Sequence, residues 1–86
     1  MNYFVEIKGH RDGLQYLTTT LHEAPSPLAG RTTASFQPFK HLASDYEDQR
    51  QAFDAITAAR ESGARGVTYI IKTGEGKTVQ TVEVRF

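Results

Sequence analysis

A single segment of this chain has helical periodicity, and strand-like segments lie on both sides of it. The S-x-x-E sequence from Ser44 to Glu47 is typical of a capping box, in which each side chain satisfies a free backbone N–H group. Gly63 is a natural C-terminal stop. We therefore predict a helix over residues 45–62 with Arg60 in its last turn. The helical face that we expect to be buried carries Tyr46, Ala52, Phe53, Ala55, Ile56 and Ala59.

The segments before and after this helix alternate in the way that strands with two unlike faces do. Residues 3–8, 67–72 and 78–86 have this period, and residues 14–21 are a threonine-rich second strand of ambiguous register. Glycine-containing turns at residues 9–13 and 73–77 predict two hairpins. The simplest packing is an α+β fold, in which a single antiparallel sheet of four to five strands carries one long helix on one face, in the order β-β-(β)-α-β-β.

Residues 22–41 contain all three prolines of the chain, Pro25, Pro27 and Pro38. A stretch of this composition rarely forms regular structure throughout, so we predict a Pro-containing loop in which residues 32–36 are a candidate short edge strand. Phe36 and Phe39 argue against disorder, because large aromatic side chains are usually buried.

Length and charge exclude several classes of protein. The chain has 86 residues, no cysteine, and ten basic and ten acidic side chains. This length predicts one domain over residues 1–86, and without cysteine a disulfide framework is excluded. Zero net charge argues against a generally basic nucleic-acid binder and an acidic DNA mimic. No apolar run reaches the roughly 18–20 residues of a membrane span, and no signal-peptide pattern is visible, so we expect a cytoplasmic location.

The second face of the predicted sheet needs a cover, since one helix covers only one face. The core that we expect beneath the helix carries Tyr3, Val5, Ile7, Val67, Tyr69, Ile71, Val82, Val84 and Phe86. The opposite face carries Phe4, Ile70, Val79 and, in one register, Leu17. Either residues 22–41 fold back onto this face with Leu28, Phe36 and Phe39, or a partner covers it, which includes a homodimer through the second sheet face.

No motif for chemistry stands out. Gly76-Lys77-Thr78 matches the end of a phosphate-binding loop, but Ile71 occupies the position of the required glycine, and a strand follows instead of a helix. The three histidines are far apart in sequence and lie in predicted turns or loop. We therefore expect no enzymatic activity, no metal and no cofactor.

Acidic residues cluster at the predicted start of the helix. Residues 41–62 carry two basic and five acidic side chains, a net charge of −3, whereas the flanking segments carry +1 and +2. Such acids either stabilise the positive end of the helix dipole or dock on a basic partner. The predicted partner-binding residues are Asp45, Glu47, Asp48, Asp54, Phe36 and Phe39.

By elimination, these observations favour a small non-enzymatic binding protein that acts by protein–protein contact. The alternative is a nucleic-acid-associated domain that stacks bases on sheet aromatics such as Tyr3, Phe4 and Tyr69, beside basic loops. Nucleic acid is the less favoured partner, because the basic residues do not cluster and no nucleic-acid-binding motif is present. No membrane partner is expected.

A cysteine-free chain that opens on a strand at residues 1–7 and places one helix with an acidic start before a closing hairpin resembles small phage-encoded proteins, among them the anti-CRISPR inhibitors. This resemblance covers size and element order and transfers no functional residue. It implies an inhibitor in the host-cell cytoplasm that binds a CRISPR effector complex and blocks target DNA recognition or nuclease recruitment. The zero net charge departs from the strongly acidic members that imitate DNA, and it favours steric blocking or local charge matching through the acidic cluster.

Overall fold

Five strands form one antiparallel sheet in the computed structural model, which describes residues 2–22, 25, 27 and 29–85. The elements are β1 Tyr3–Lys8, β2 Gln15–Leu21, β3 Thr32–Gln37, α1 Gln49–Glu61, β4 Val67–Thr73 and β5 Thr78–Val84. The sheet order is β3-β2-β1-β4-β5, and a short 3-10 helix at Lys40–Leu42 precedes α1 between β3 and β4. The predicted α+β class is confirmed, and β3 is the candidate edge strand of the proline-containing segment.

The core lies between the helix and one face of the sheet. Val5 pairs with Ile71 and Ile7 with Tyr69, so alternate residues of the two central strands form a continuous buried layer. Val67 and Val84 are also buried there, whereas Tyr3 and Val82 are partly exposed at the margin of this layer. The predicted core residue Phe86 lies outside the described residues.

Leu17 takes the core position, which is one of the two registers left open for β2. Its side chain is fully buried in the core beneath the helix, and it pairs with Phe36 of β3. Phe36 is partly buried on the same side, and its ring contacts Tyr69 edge-on with ring centroids 6.1 Å apart. β3 and β4 are separated by two strands, about 14 Å at the usual spacing, so this contact requires the sheet to curve around the helix.

The helix begins later than predicted. Asp48 is its N-cap, and one carboxylate oxygen accepts a hydrogen bond from the backbone N–H of Gln51 at 2.8 Å. The side chain of Gln51 in turn accepts from the N–H of Glu47 at 3.1 Å. The predicted capping box of Ser44 and Glu47 is therefore wrong, because a D-x-x-Q sequence further along the chain performs this role.

The buried face of the helix consists mostly of alanine. Ala52, Ala55 and Ala59 are buried beside Ile56, and such small side chains let the helix lie close to the sheet. Phe53 was expected on this face but is exposed on the flank, where it lines a shallow depression with Gln80 of β5. The predicted stop is confirmed, since the helix ends before Gly63, whose φ of 99° favours glycine.

A short segment fills a gap in the middle of the sheet. β1 and β2 pair at only two positions near their connecting turn and then separate. Ser44 bonds to β2, since its N–H donates to the carbonyl of Leu17 at 3.1 Å and its hydroxyl accepts from the N–H of Thr19 at 2.9 Å. Tyr46 exchanges two backbone hydrogen bonds of 3.0 Å with Tyr3 of β1. We call residues 44–46 the bridging segment; it explains why Ser44 is not a helix cap and why Tyr46 precedes the helix.

The chain itself covers part of the second sheet face. Phe4 is only 2 % exposed, and the Lys40 ammonium lies 4.8 Å from the centre of its ring. Thr18 donates a hydrogen bond from its hydroxyl to the carbonyl of Leu42 at 2.6 Å, which attaches the 3-10 helix to β2. The expected fold-back is therefore observed in part, through Lys40, whereas Phe36 lies on the other side of the sheet and Phe39 is 58 % exposed. Cover by a partner stays a prediction. Leu28 lies outside the described residues.

The buried hydroxyl of Tyr69 predicts a fall in stability at high pH. It donates to the carbonyl of Ala64 at 3.1 Å. Burial raises the pKa of Tyr69 to about 12, against a smaller opposing effect of the Arg60 guanidinium. The unfolded chain loses this proton near pH 10, so stability should fall between pH 10 and 12, by about 1 kcal/mol at pH 11. Urea unfolding at pH 9 and 11 measures this. The free energy of unfolding of Tyr69→Phe should fall less between these two pH values. An equal fall in both proteins would contradict the ionisation of Tyr69 as its cause.

Candidate functional site: an acidic groove beside the helix

A groove lies between the helix and the paired ends of β2 and β3. Its volume is about 610 Å³. Leu21 and Thr32, which pair with each other across these strands, form one wall, and Ala55 and Ala58 of the helix form the other. Leu21 is an exposed large apolar side chain, so this wall offers apolar surface to a ligand.

Two carboxylates give this groove its charge. Asp45 comes from the bridging segment and Asp54 from the second turn of the helix, and both are exposed. Asp45 accepts a hydrogen bond from the backbone N–H of Asn2 at 2.9 Å, which fixes its orientation. Asp54 makes no salt bridge among the described residues, and no basic residue lines the groove there. The residues that line the groove therefore carry a net negative charge.

The polar floor of the groove is neutral. The hydroxyl of Tyr46 lies 3.0 Å from the Thr19 hydroxyl, and both side chains line the groove. Burial raises the pKa of Tyr46 above its usual value near 10, although hydrogen bonds with Thr19 and Ser44 act in the opposite direction. Tyr46 therefore keeps its proton at neutral pH, and the negative charge of the groove comes from its two aspartates.

The structure brings together two of the four predicted acidic residues. Asp45 and Asp54 share the groove, whereas Asp48 is used as the helix cap. Glu47 lines a separate shallow depression with Lys77 at the β4–β5 turn. The acidic cluster of the sequence thus separates into two groove residues, one helix cap and one carboxylate at a separate depression.

The two predicted aromatic residues lie apart from the groove. Phe36 packs at the margin of the core against Tyr69, and the ring of His10 also contacts it at 5.5 Å. Phe39 is exposed and stacks on His41 at 5.7 Å between ring centroids. Of these two, Phe39 has the larger surface available to a partner.

Sequence reasoning missed the apolar wall of the groove. Leu21 and Thr32 are eleven positions apart and become neighbours only through the β2–β3 register, and Ala58 joins them only through helix packing. An exposed leucine at the end of a threonine-rich strand was the one available signal.

Neither a metal site nor a base-stacking platform is visible in the parts of the chain that the structure describes. No group of three or more His, Asp and Glu side chains is arranged to hold an ion there. Phe4 and Tyr69, two of the aromatics considered for base stacking, are buried. Their faces are therefore unavailable to bases, which removes part of the argument for nucleic-acid binding.

Comparison with known proteins identifies no relative: no protein-family model, curated protein or solved structure matches this chain. Across the described residues, no helix combines the length and the apolar character that crossing a membrane requires. The geometry and charge of the groove are therefore the main basis for a functional proposal.

Proposed function

We propose that this chain is a small non-enzymatic binding protein whose acidic groove holds a basic side chain of a protein partner. The observation that supports this is the pairing of two aspartates, Asp45 and Asp54, with an apolar wall in a groove that no basic residue lines among the described residues. Opposite charges across an interface steer association and select the partner.

Lysine and arginine match this groove in both of their parts. Their aliphatic stems pack on apolar surface while the charged head stays near water or a carboxylate, and here Leu21 and Ala58 offer that surface beside Asp54. Hydrogen bonds between a cation and a carboxylate are also stronger than neutral ones. The groove volume of about 610 Å³ is in the range of roughly 300–1,000 Å³ that is usual for ligand sites.

Reversing one groove charge should weaken binding of a basic probe. For hexa-arginine measured by calorimetry, we expect Asp54→Lys to raise the Kd by about tenfold or more, which corresponds to about 1.4 kcal/mol. Asp54 is exposed and makes no side-chain hydrogen bond among the described residues, so the melting temperature should stay nearly unchanged.

Glu75→Lys is the matched control, because it makes the same change in net charge at an exposed turn residue outside the groove. We expect it to change the Kd by less than about twofold. If both reversals weaken binding equally, the probe responds to the charge of the whole chain, and the groove is not the site.

The narrower proposal is that the partner belongs to a CRISPR effector complex, whose target recognition or nuclease recruitment this chain would block. Its support is the resemblance in size and element order. The test adds the protein to a purified effector complex in a target-DNA cleavage assay, with Asp54→Lys and Glu75→Lys in parallel. Inhibition that is lost only in Asp54→Lys supports the proposal, and the absence of inhibition by the wild-type protein rejects it.

A further inference from the structure

The outer edge of β3 pairs with no other described strand, and its hydrogen-bonding groups can be identified from the register. Just beyond the ends of β2 and β3, the N–H of His22 donates to the carbonyl of Arg31 at 2.9 Å, which places this pair in the hydrogen-bonded set of the β2–β3 register. Such pairs alternate along antiparallel strands, so Thr33, Ser35 and Gln37 point their backbone groups toward β2. The backbone groups of Thr32, Ala34 and Phe36 therefore point outward.

The same alternation is visible on the opposite side of β2. The backbone groups of Leu17 and Thr19 point away from β3, and on that side of β2 both residues form hydrogen bonds with Ser44 of the bridging segment. On the outer side of β3, the outward N–H and C=O groups of Thr32, Ala34 and Phe36 make no hydrogen bond to any other described residue.

Of the two edges of the sheet, the β3 edge is the better suited to accept another strand. β5 carries the charged residue Glu83 and an irregularity at Val79, which lies between two register positions. Charges and bulges are the usual devices that protect an edge strand. β3 pairs regularly over its whole length and contains no charged residue, no proline and no bulge.

Thr32 connects this edge to the groove. Its backbone points outward from β3, while its side chain lines the groove near Asp54. A residue that pairs with Thr32 from an added strand would have its side chain on the same face of the sheet, about 5 Å away between Cβ atoms. A lysine or arginine at that position is long enough to reach the groove carboxylates.

We propose that the basic segment of the partner binds in extended form as a sixth, antiparallel strand on β3, with a lysine or arginine opposite Thr32 directed into the acidic groove. This rests on the proposed function and specifies how the partner is held. Main-chain hydrogen bonds to Thr32, Ala34 and Phe36 would supply affinity, and the groove would select the basic side chain.

A second copy of this chain fits the edge less well. Two β3 strands can pair antiparallel through all three of their outward residues when Ala34 lies opposite Ala34 of the other copy. In that register Thr32 lies opposite Phe36. The side chain placed beside the groove is then an aromatic ring, which leaves Asp45 and Asp54 without a cation. Charge complementarity therefore favours a basic segment of a different protein.

The test removes one outward hydrogen-bond donor. Proline is tolerated on edge strands where the N–H faces solvent, so Ala34→Pro should leave the β2–β3 ladder and the melting temperature nearly unchanged. The probe is the peptide Thr-Val-Arg-Val-Thr-Val with blocked ends, titrated by NMR. We expect Ala34→Pro to weaken its binding by about tenfold or more, and Ala34→Val, which keeps the N–H, to bind like wild type. Peptide binding should slow amide exchange at Thr32, Ala34 and Phe36.

The outcomes separate this inference from the proposed function. If Asp54→Lys abolishes binding and Ala34→Pro does not, the groove is used without strand addition, and the inference is wrong. If the wild-type protein does not bind the peptide or hexa-arginine at millimolar concentration, both proposals fail. A dimeric solution mass with slow exchange at the β3 amides before peptide is added would assign the edge to a second copy.

Should Ala34→Pro not fold, peptides N-methylated at successive residues replace it, and equal binding by all of them refutes strand addition.

Discussion

Phe4→Ala is expected to lower the free energy of unfolding by about 3–5 kcal/mol, the usual cost of truncating a buried phenylalanine. Its ring is nearly inaccessible on the sheet face opposite the helix, between the Lys40 ammonium and the Tyr16 ring at 6.1 Å. The substitution leaves a cavity there and removes a cation–π contact worth about 0.5–1 kcal/mol. Urea unfolding measures the effect as a lower midpoint with little change in slope.

Phe39→Ala is the matched control, since it makes the same truncation at an exposed ring next to Lys40, the residue that covers Phe4. A change within about 0.5 kcal/mol is expected there, and its effect on partner binding can then be interpreted separately. If Phe4→Ala costs no more than Phe39→Ala, the second face is open to solvent, and a partner or a homodimer through that face becomes the better explanation of its apolar residues.

Lys72→Met is expected to cost about 2–3 kcal/mol, because it leaves a buried carboxylate without its partner. The Lys72 ammonium lies 3.1 Å from a carboxylate oxygen of Glu6, and their side chains are 21 % and 9 % exposed. Both residues lie on the second face of the central strands, where Phe4 pairs with Lys72 and Glu6 with Ile70. The double variant Glu6→Gln/Lys72→Met should be more stable than Lys72→Met alone, since no charge remains buried.

Arg85→Met gives the comparison for this ion pair. The Arg85 guanidinium also lies 3.1 Å from a carboxylate, that of Glu83, but both side chains are exposed. Water and salt screen such a pair, so its loss should cost less than about 0.5 kcal/mol. Equal costs for Lys72→Met and Arg85→Met in chemical denaturation would show that the Glu6 carboxylate is solvated in the folded protein.

The fold was predictable wherever a segment has two unlike faces. The alternation at Val5 and Ile7, and at Tyr69 and Ile71, identified β1 and β4 because the apolar residues that face the helix recur at every second position. β3 was only a candidate, since an edge strand that is mostly threonine, serine and alanine has no such contrast. The helix start was misplaced because Ser44 bonds to a distant strand, which its local sequence does not indicate.

The site was predictable only in its charge. Asp45 and Asp54 were identified from composition, but the sequence does not distinguish them from Asp48, whose carboxylate caps the helix, or from Glu47. That separation depends on where the helix begins, and its start differs by four residues from the prediction. The apolar wall could not be predicted, because it requires the register of β2 and β3 together with the close approach of an alanine-faced helix.

The bridging segment has a consequence for the order of folding. The β1–β2 hairpin closes over only two residue pairs, and beyond them the two strands are joined through the bridging segment. Its Ser44 lies 25 positions after its partner Thr19, and its Tyr46 lies 43 positions after its partner Tyr3. Two-state proteins fold more slowly as their contacts become less local. We therefore expect the β4–β5 hairpin to form first, because it closes through the local turn at residues 74–77. The amides of the N-terminal half of the sheet should gain protection from hydrogen exchange later, when the helix docks.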